Sequence, residues 1–186
     1  MGQKGAETRD RLLDATRELV EAGGYSAAGL NQVIAASGAP RGSLYFHFPG
    51  GKDQLVAESV RRAGQAVGDA LAGLAERDGS AAEFTGAALR LLGDRLEESG
   101  WRRGCPVATV ALETAATNDP LQQACSEVYA SWERVLRDRL ADRPDADDLA
   151  VTVLALVEGA LLLARTHRSR APLDSVARRI GVLLDA

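Results

Sequence analysis

Apolar residues recur at helical spacing along nearly the whole chain. Thr8 can cap a first helix whose stripe is Leu12, Ala15, Thr16, Leu19 and Val20. This predicts residues 1–7 as a mobile arm and Gly23-Gly24 as the helix end. Leu30, Val33 and Ile34 predict a second helix, closed by Ser37-Gly38 because glycine tolerates the left-handed conformation. Pro40 suits the first position of a short third helix running on through Arg41-Gly42-Ser43-Leu44-Tyr45. A long fourth helix, about 52 to 74, turns Leu55, Val56, Ser59, Val60, Ala63, Val67 and Leu71 inward, and Asp78-Gly79-Ser80 breaks the pattern. The fifth, about 80–98, carries Phe84, Ala88, Leu91, Leu92 and Leu96, and residues 99–104 form a loop. Pro106 opens the sixth helix and Asn118-Asp119-Pro120 the seventh, which carries Leu121, Ala124, Cys125, Val128, Trp132 and Leu136. Strand-type runs of Val, Ile and Thr are missing, so the expected fold class is all-α with about nine helices.

The eighth helix, about 145–166, has Glu158 as its only charge between Leu149 and Ala164. A helix apolar nearly all round needs cover on more than one side. It reads as too short to span a bilayer and it carries a carboxylate, so the second cover is assigned to the same helix of another subunit. A ninth helix follows Pro172. Val153, Val157, Leu161, Val176 and Ile180 are the expected interface of a homodimer built as a four-helix contact about a two-fold axis.

Composition narrows the function. Apolar residues make up 46% and aromatics 4% of 186 residues, enough length for a sizeable core. No charge-free stretch reaches the roughly 18–20 residues of a membrane helix, and MGQKGAETRDR has no apolar core of a secretory signal. A cytoplasmic protein without a membrane partner is therefore expected. Cys105 and Cys125 have neither metal-ligand nor disulfide-framework spacing. His47 has no second ligand nearby, and no Ser-His-Asp set or phosphate loop occurs. No catalytic residue, metal or cofactor is expected, and the chain does not read as an enzyme.

The net charge of −4 argues against a general polyanion binder, so the distribution of charge matters more than the sum. No Asp or Glu lies between Glu21 and Asp53. That window holds Leu30 to Lys52, two short helices and a tight turn near a chain terminus, which describes a helix-turn-helix. Its second helix would enter the DNA major groove.

The run Gly38-Ala39-Pro40-Arg41-Gly42-Ser43-Leu44-Tyr45-Phe46-His47-Phe48, followed by Lys52-Asp53-Gln54-Leu55, resembles the signature of TetR-type bacterial repressors. The longer run from Gly29 to Lys52 resembles the LmrA/YxaF-like branch more closely. The resemblance implies an N-terminal three-helix DNA-binding domain over 1–51 and a helical ligand-binding and dimerisation domain over 52–186. It departs from the family at Ala28-Gly29 and at Pro40, where Ser or Thr is usual, so two side-chain caps are missing.

Arg41 is the expected base reader, since a guanidinium pairs bidentately with guanine O6 and N7. Gly42 lets the helix backbone approach DNA. Ser43, Tyr45, His47 and Lys52 match positions that contact phosphate in this family, with Pro40 and Asn31 as further DNA-facing candidates. Phe46 and Phe48 read as core. The resemblance further implies an effector pocket among helices 4 to 8. Phe84, Leu91, Trp101, Val107, Val110, Glu113, Trp132 and Leu136 are its candidate lining, with Thr114 and Glu158 as further polar candidates. The resulting expectation is a ligand-responsive repressor. Its dimer binds a near-palindromic double-stranded operator and is released by a small aromatic or drug-like effector. The alternative is a redox-sensing repressor on the same fold using Cys105 and Cys125.

Overall fold

The computed structural model describes residues 3–76 and 79–184. Among them are nine helices and no strand: α1 (Gln3–Ala27), α2 (Leu30–Ser37), α3 (Arg41–His47), α4 (Gly51–Ala75), α5 (Ala81–Glu98), α6 (Pro106–Thr114), α7 (Asp119–Arg139), α8 (Ala146–His167) and α9 (Ala171–Leu184). They fall into two compact units, one of Met1–Gln65 with Pro106–Val128, the other of Ala66–Cys105 with Tyr129–Ala186. Helices α4 and α7 each run from one unit into the other.

In the first unit α1 packs against α2, α3 and α6. Leu12, Leu13, Val20, Val33, Leu44, Phe48, Leu55, Val56, Val107, Val110 and Leu121 are buried. Helix α4 is fastened along α1: Ser59 Oγ donates to the Leu13 carbonyl at 3.1 Å, Arg62 pairs with Asp10 at 2.8 Å, and Arg9 pairs with Glu58. Gly64 lets α4 meet α7 closely, since a Cβ there would lie 2.3 Å from a Val128 methyl.

The start of α1 corrects the expected arm. Residues 3–7 are helical, and Thr8 is not a cap: its hydroxyl donates to the Lys4 carbonyl at 2.9 Å from inside the helix. Gln3, Lys4, Ala6 and Glu7 are favourable helix formers, so the helix continues past the capping residue. Met1 and Gly2, the rest of that arm, and Asp78 of the expected break lie outside the described residues. Gly23 (φ −146°) and Gly24 (φ 71°) interrupt α1, which resumes through Ala27.

The second unit packs α5, α8 and α9 together. Its core joins Phe84, Leu89, Leu96, Leu136, Ala150, Val153, Ala160, Ala164, Leu173 and Ile180. Ser80 and Glu83 form a reciprocal capping box that starts α5. Arg170 holds α9 to α5, with Nη1 2.6 Å from Asp94 and 3.1 Å from Glu97 and Nη2 3.2 Å from the Arg90 carbonyl.

Two of the expected dimer residues, Val153 and Ile180, are corrected here. Val153 and Ile180 are 1% and 0% exposed, and Val157, Leu161 and Val176 pack partly buried against the same core. The outward face of α8 is another one, with Val151, Leu156, Leu162 and Leu163 exposed, and α9 exposes Val182 and Leu183. A helix apolar on every side gives no polar stripe to set its phase. At 22 residues α8 is also long and apolar enough to cross a membrane by length and composition alone, contrary to the shorter reach expected. Glu158 lies near its middle.

Candidate nucleic-acid interface

Helix α2 ends at Gly38, whose left-handed φ of 62° turns the chain and whose N–H donates to the Ile34 carbonyl at 3.1 Å. Ser37 Oγ accepts from the Ala39 N–H at 3.2 Å, stiffening the turn. Pro40 caps α3 from just outside the helix, with φ −59° and ψ 139°, rather than filling its first position. As expected from their missing Ser or Thr, neither Gly29 nor Pro40 supplies a side-chain cap.

Leu44 points α3 into the core, fully buried. The other side of the helix carries the candidates. Arg41, Gly42 and Tyr45 are exposed, and Ser43 and His47 are half-buried at its flanks. A Cβ at Gly42 would meet nothing within 4 Å, so the backbone there is open to an approaching surface. Asn31, on α2, is exposed as well.

Phe46 departs from its expected core place. It is 74% exposed, while Phe48 is fully buried as expected. The two lie about 200° apart around the helix, so only one can share the inward side with Leu44. His47 packs edge-on against Phe46 with ring centroids 5.0 Å apart.

Lys52 sits with Nζ 3.8 Å from the centroid of the Tyr25 ring, a cation–π contact that aims the ammonium. The Tyr25 hydroxyl donates to Asp53 Oδ1 at 2.6 Å. That bond, then burial and the carboxylate charge, push the Tyr25 phenol up to about 12. Asp53 Oδ2 accepts from Asn118 Nδ2 at 2.8 Å, and Asn118 Oδ1 caps the Leu121 N–H at 3.1 Å. Asp53 therefore joins the end of α1, the start of α4 and the start of α7. Sequence reading missed this junction. Asp53 stands in the signature run, but its partners lie 28 and 65 residues away.

The eight expected effector-lining residues divide between the units. Val107 and Val110 are fully buried in the first. Glu113 accepts from the Ser26 N–H at 2.9 Å and from its hydroxyl, fastening α6 to the end of α1. Thr114 is buried and donates to the Val110 carbonyl at 2.8 Å. Phe84, Trp132 and Leu136 are buried in the second unit, with Leu91 and Trp101 half-buried. Trp101 adopts a left-handed φ of 65°, strained for a large side chain. Its N–H donates to the Leu96 carbonyl at 2.9 Å, and its ring packs against the second unit's core.

Glu158 is raised above the usual carboxylate range by burial, and the hydrogen bond from Cys105 opposes that shift. Burial pushes the Cys125 thiol up to about 11, with Arg61 pulling the other way. It is almost entirely protonated at neutral pH and so a poor nucleophile. Cys105 and Cys125 belong to different units. Among the described residues no cluster of three or more His, Cys, Asp or Glu is placed to hold a metal.

Comparison with known proteins agrees with this geometry. Residues 12–59 match bacterial regulatory proteins of the tetR family, and residues 81–179 match the C-terminal domain of LmrA/YxaF-like transcriptional regulators. The HTH-type transcriptional regulator LmrA of Bacillus subtilis (strain 168) is 35% identical over 182 residues, spanning 96% of this chain and 97% of that protein. The uncharacterized HTH-type transcriptional regulator YxaF of the same strain is 31% identical over 182 residues, 96% of this chain and 95% of its own. The crystal structure of a TetR transcriptional regulator from Chloroflexus aurantiacus superposes with a TM-score of 0.84 at 27% identity, covering 97% of this chain and 96% of that one. The chain belongs to the TetR family of helix-turn-helix transcriptional regulators, and its C-terminal domain is of the LmrA/YxaF-like type.

Proposed function

We propose that this regulator is a ligand-responsive repressor whose dimer binds a near-palindromic operator through α3. TetR-family regulators bind operators, dimerise and are not enzymes. DNA binding is assigned to residues 1–51, with effector binding and dimerisation assigned to 52–186. The observation that carries the reading is the outward face of α3, where Arg41, Gly42 and Tyr45 stand exposed on a stretch free of acidic residues. Arg41 reads a guanine, Ser43, Tyr45, His47 and Lys52 hold phosphates, and Pro40 and Asn31 lie alongside. Phosphate contacts set register, and base contacts set sequence.

The dimer face favoured by burial is Val151, Ala155, Gly159, Leu162 and Leu163 on α8, all exposed and spaced along one side. Small residues at 155 and 159 let two such helices approach closely. Two α3 helices about 34–36 Å apart would meet successive major grooves. The effector is a small aromatic or drug-like molecule held by the second unit, where Phe84, Leu91, Trp101, Trp132 and Leu136 supply apolar surface and Glu158 a polar group. It releases DNA by favouring a state with lower operator affinity. Such a protein acts in the cytoplasm, where the bacterial chromosome lies.

Fluorescence anisotropy with a duplex selected from a random library tests this reading. Specific binding that a small aromatic compound weakens supports it. Specific binding that survives every bound compound would remove the effector half.

A further inference from the structure

We propose that Phe46 reads the 5-methyl group of a thymine in each operator half-site. The inference rests on the reading that α3 enters the major groove. Leu44 is fully buried and sets the inward direction of α3. At about 100° per residue, Gly42 and Phe46 lie four positions apart on the opposite side. The outermost line of the helix is therefore a glycine with open space around it and a phenyl ring 74% exposed. Helical side chains lean toward the N-terminus, so the ring stands over the turn that Gly42 leaves bare.

The chemistry of that ring restricts what it can meet. A phenyl has no strong hydrogen-bond donor or acceptor, so it cannot take the phosphate role open to Tyr45 beside it. In the major groove the apolar feature of a base pair is the thymine methyl. His47 packs edge-on at 5.0 Å and limits the ring's freedom. No acidic residue falls between Glu21 and Asp53 to repel the DNA backbone from this face.

The test uses the full chain and a duplex selected by the wild type from a random library. Thymines are replaced by deoxyuridine in symmetric pairs, which removes the methyl and leaves every hydrogen-bonding group. Burying one methyl corresponds to about fourfold in affinity, so a symmetric pair corresponds to about fifteenfold. The wild type should lose about that factor at one symmetric pair. Phe46→Ala should bind the thymine duplex that much more weakly and be indifferent to deoxyuridine there. Phe46→Leu should keep part of the methyl preference. Unchanged thermal melting by circular dichroism confirms that the variants fold, as expected for an exposed side chain.

A wild type indifferent to every deoxyuridine pair overturns the proposal. So does a selected half-site without thymine, or a Phe46→Ala variant with the full methyl penalty. If the wild type selects no duplex at all, the DNA-binding reading itself fails, and with it the inference.

Discussion

Tyr25 and Asp53 are joined by a 2.6 Å hydrogen bond between the last turn of α1 and the first turn of α4. Asp53 shares its second oxygen with Asn118 at the head of α7, so one carboxylate orients three helices of the first unit. Tyr25→Phe should cost about 1 kcal/mol of stability in urea unfolding. Asp53→Ala should cost more, because it also leaves Asn118 without its acceptor.

The same bond has a pH signature. Its phenol is raised from the usual 10.0 to about 12, so its stabilisation is complete below pH 10 and disappears as pH rises toward 12. Wild type should lose stability over that window relative to Tyr25→Phe. Parallel stability curves for the two proteins above pH 10 would contradict the assignment.

Arg41 and Lys52 should separate base reading from phosphate holding. Arg41→Ala should cost about 1–3 kcal/mol on the selected duplex and relax preference at one base pair. Lys52→Ala should weaken all duplexes alike and reduce the salt slope by about one per subunit. Anisotropy titrations on single-base operator variants at several salt concentrations give both readouts. Identical profiles for the two variants would remove these roles.

The exposed face of α8 and the core that α8 shares with α9 should respond differently to substitution. Leu163→Asp places a charge on the exposed face and should yield folded monomers in analytical ultracentrifugation. Ile180→Ala opens a cavity in a residue with no exposure, and should cost about 2–5 kcal/mol whatever the oligomeric state. A Leu163→Asp protein that still dimerises would place the interface elsewhere.

Glu158 should make stability depend on acid. Its carboxyl is raised by burial, so the neutral form stabilises the fold at low pH and that contribution fades as pH rises through the raised value. Glu158→Gln should therefore gain stability over wild type at neutral pH and converge with it in acid. A Glu158→Gln protein less stable than wild type at neutral pH would contradict a burial penalty.

Much of this was legible in the sequence where local rules act alone. Gly38 marks the turn before α3 because a left-handed residue is needed there, and the break read at Gly79-Ser80 falls just before α5 starts at Ala81. The phase of α8 was not legible: with apolar residues on every side, periodicity cannot say which side meets the chain's own core. Hence Val153 reads as outward and is inward, 1% exposed. The aromatic type of Phe46 suggests core, whereas Leu44 of the seven-residue α3 and Phe48, the residue that caps it, already fill the inward side. The Tyr25–Asp53–Asn118 junction joins residues distant in sequence, and no spacing rule reaches that far.

The most direct test of the account replaces Gly42 by Glu at the outermost point of α3. An added Cβ meets nothing within 4 Å, so the protein should melt and dimerise as the wild type does. A carboxylate facing phosphate and base edges should abolish specific binding to the selected duplex, by about a hundredfold or more if its repulsion and lost contact are worth about 3 kcal/mol. A folded Gly42→Glu dimer that binds this duplex with wild-type affinity would contradict the claim that α3 meets DNA.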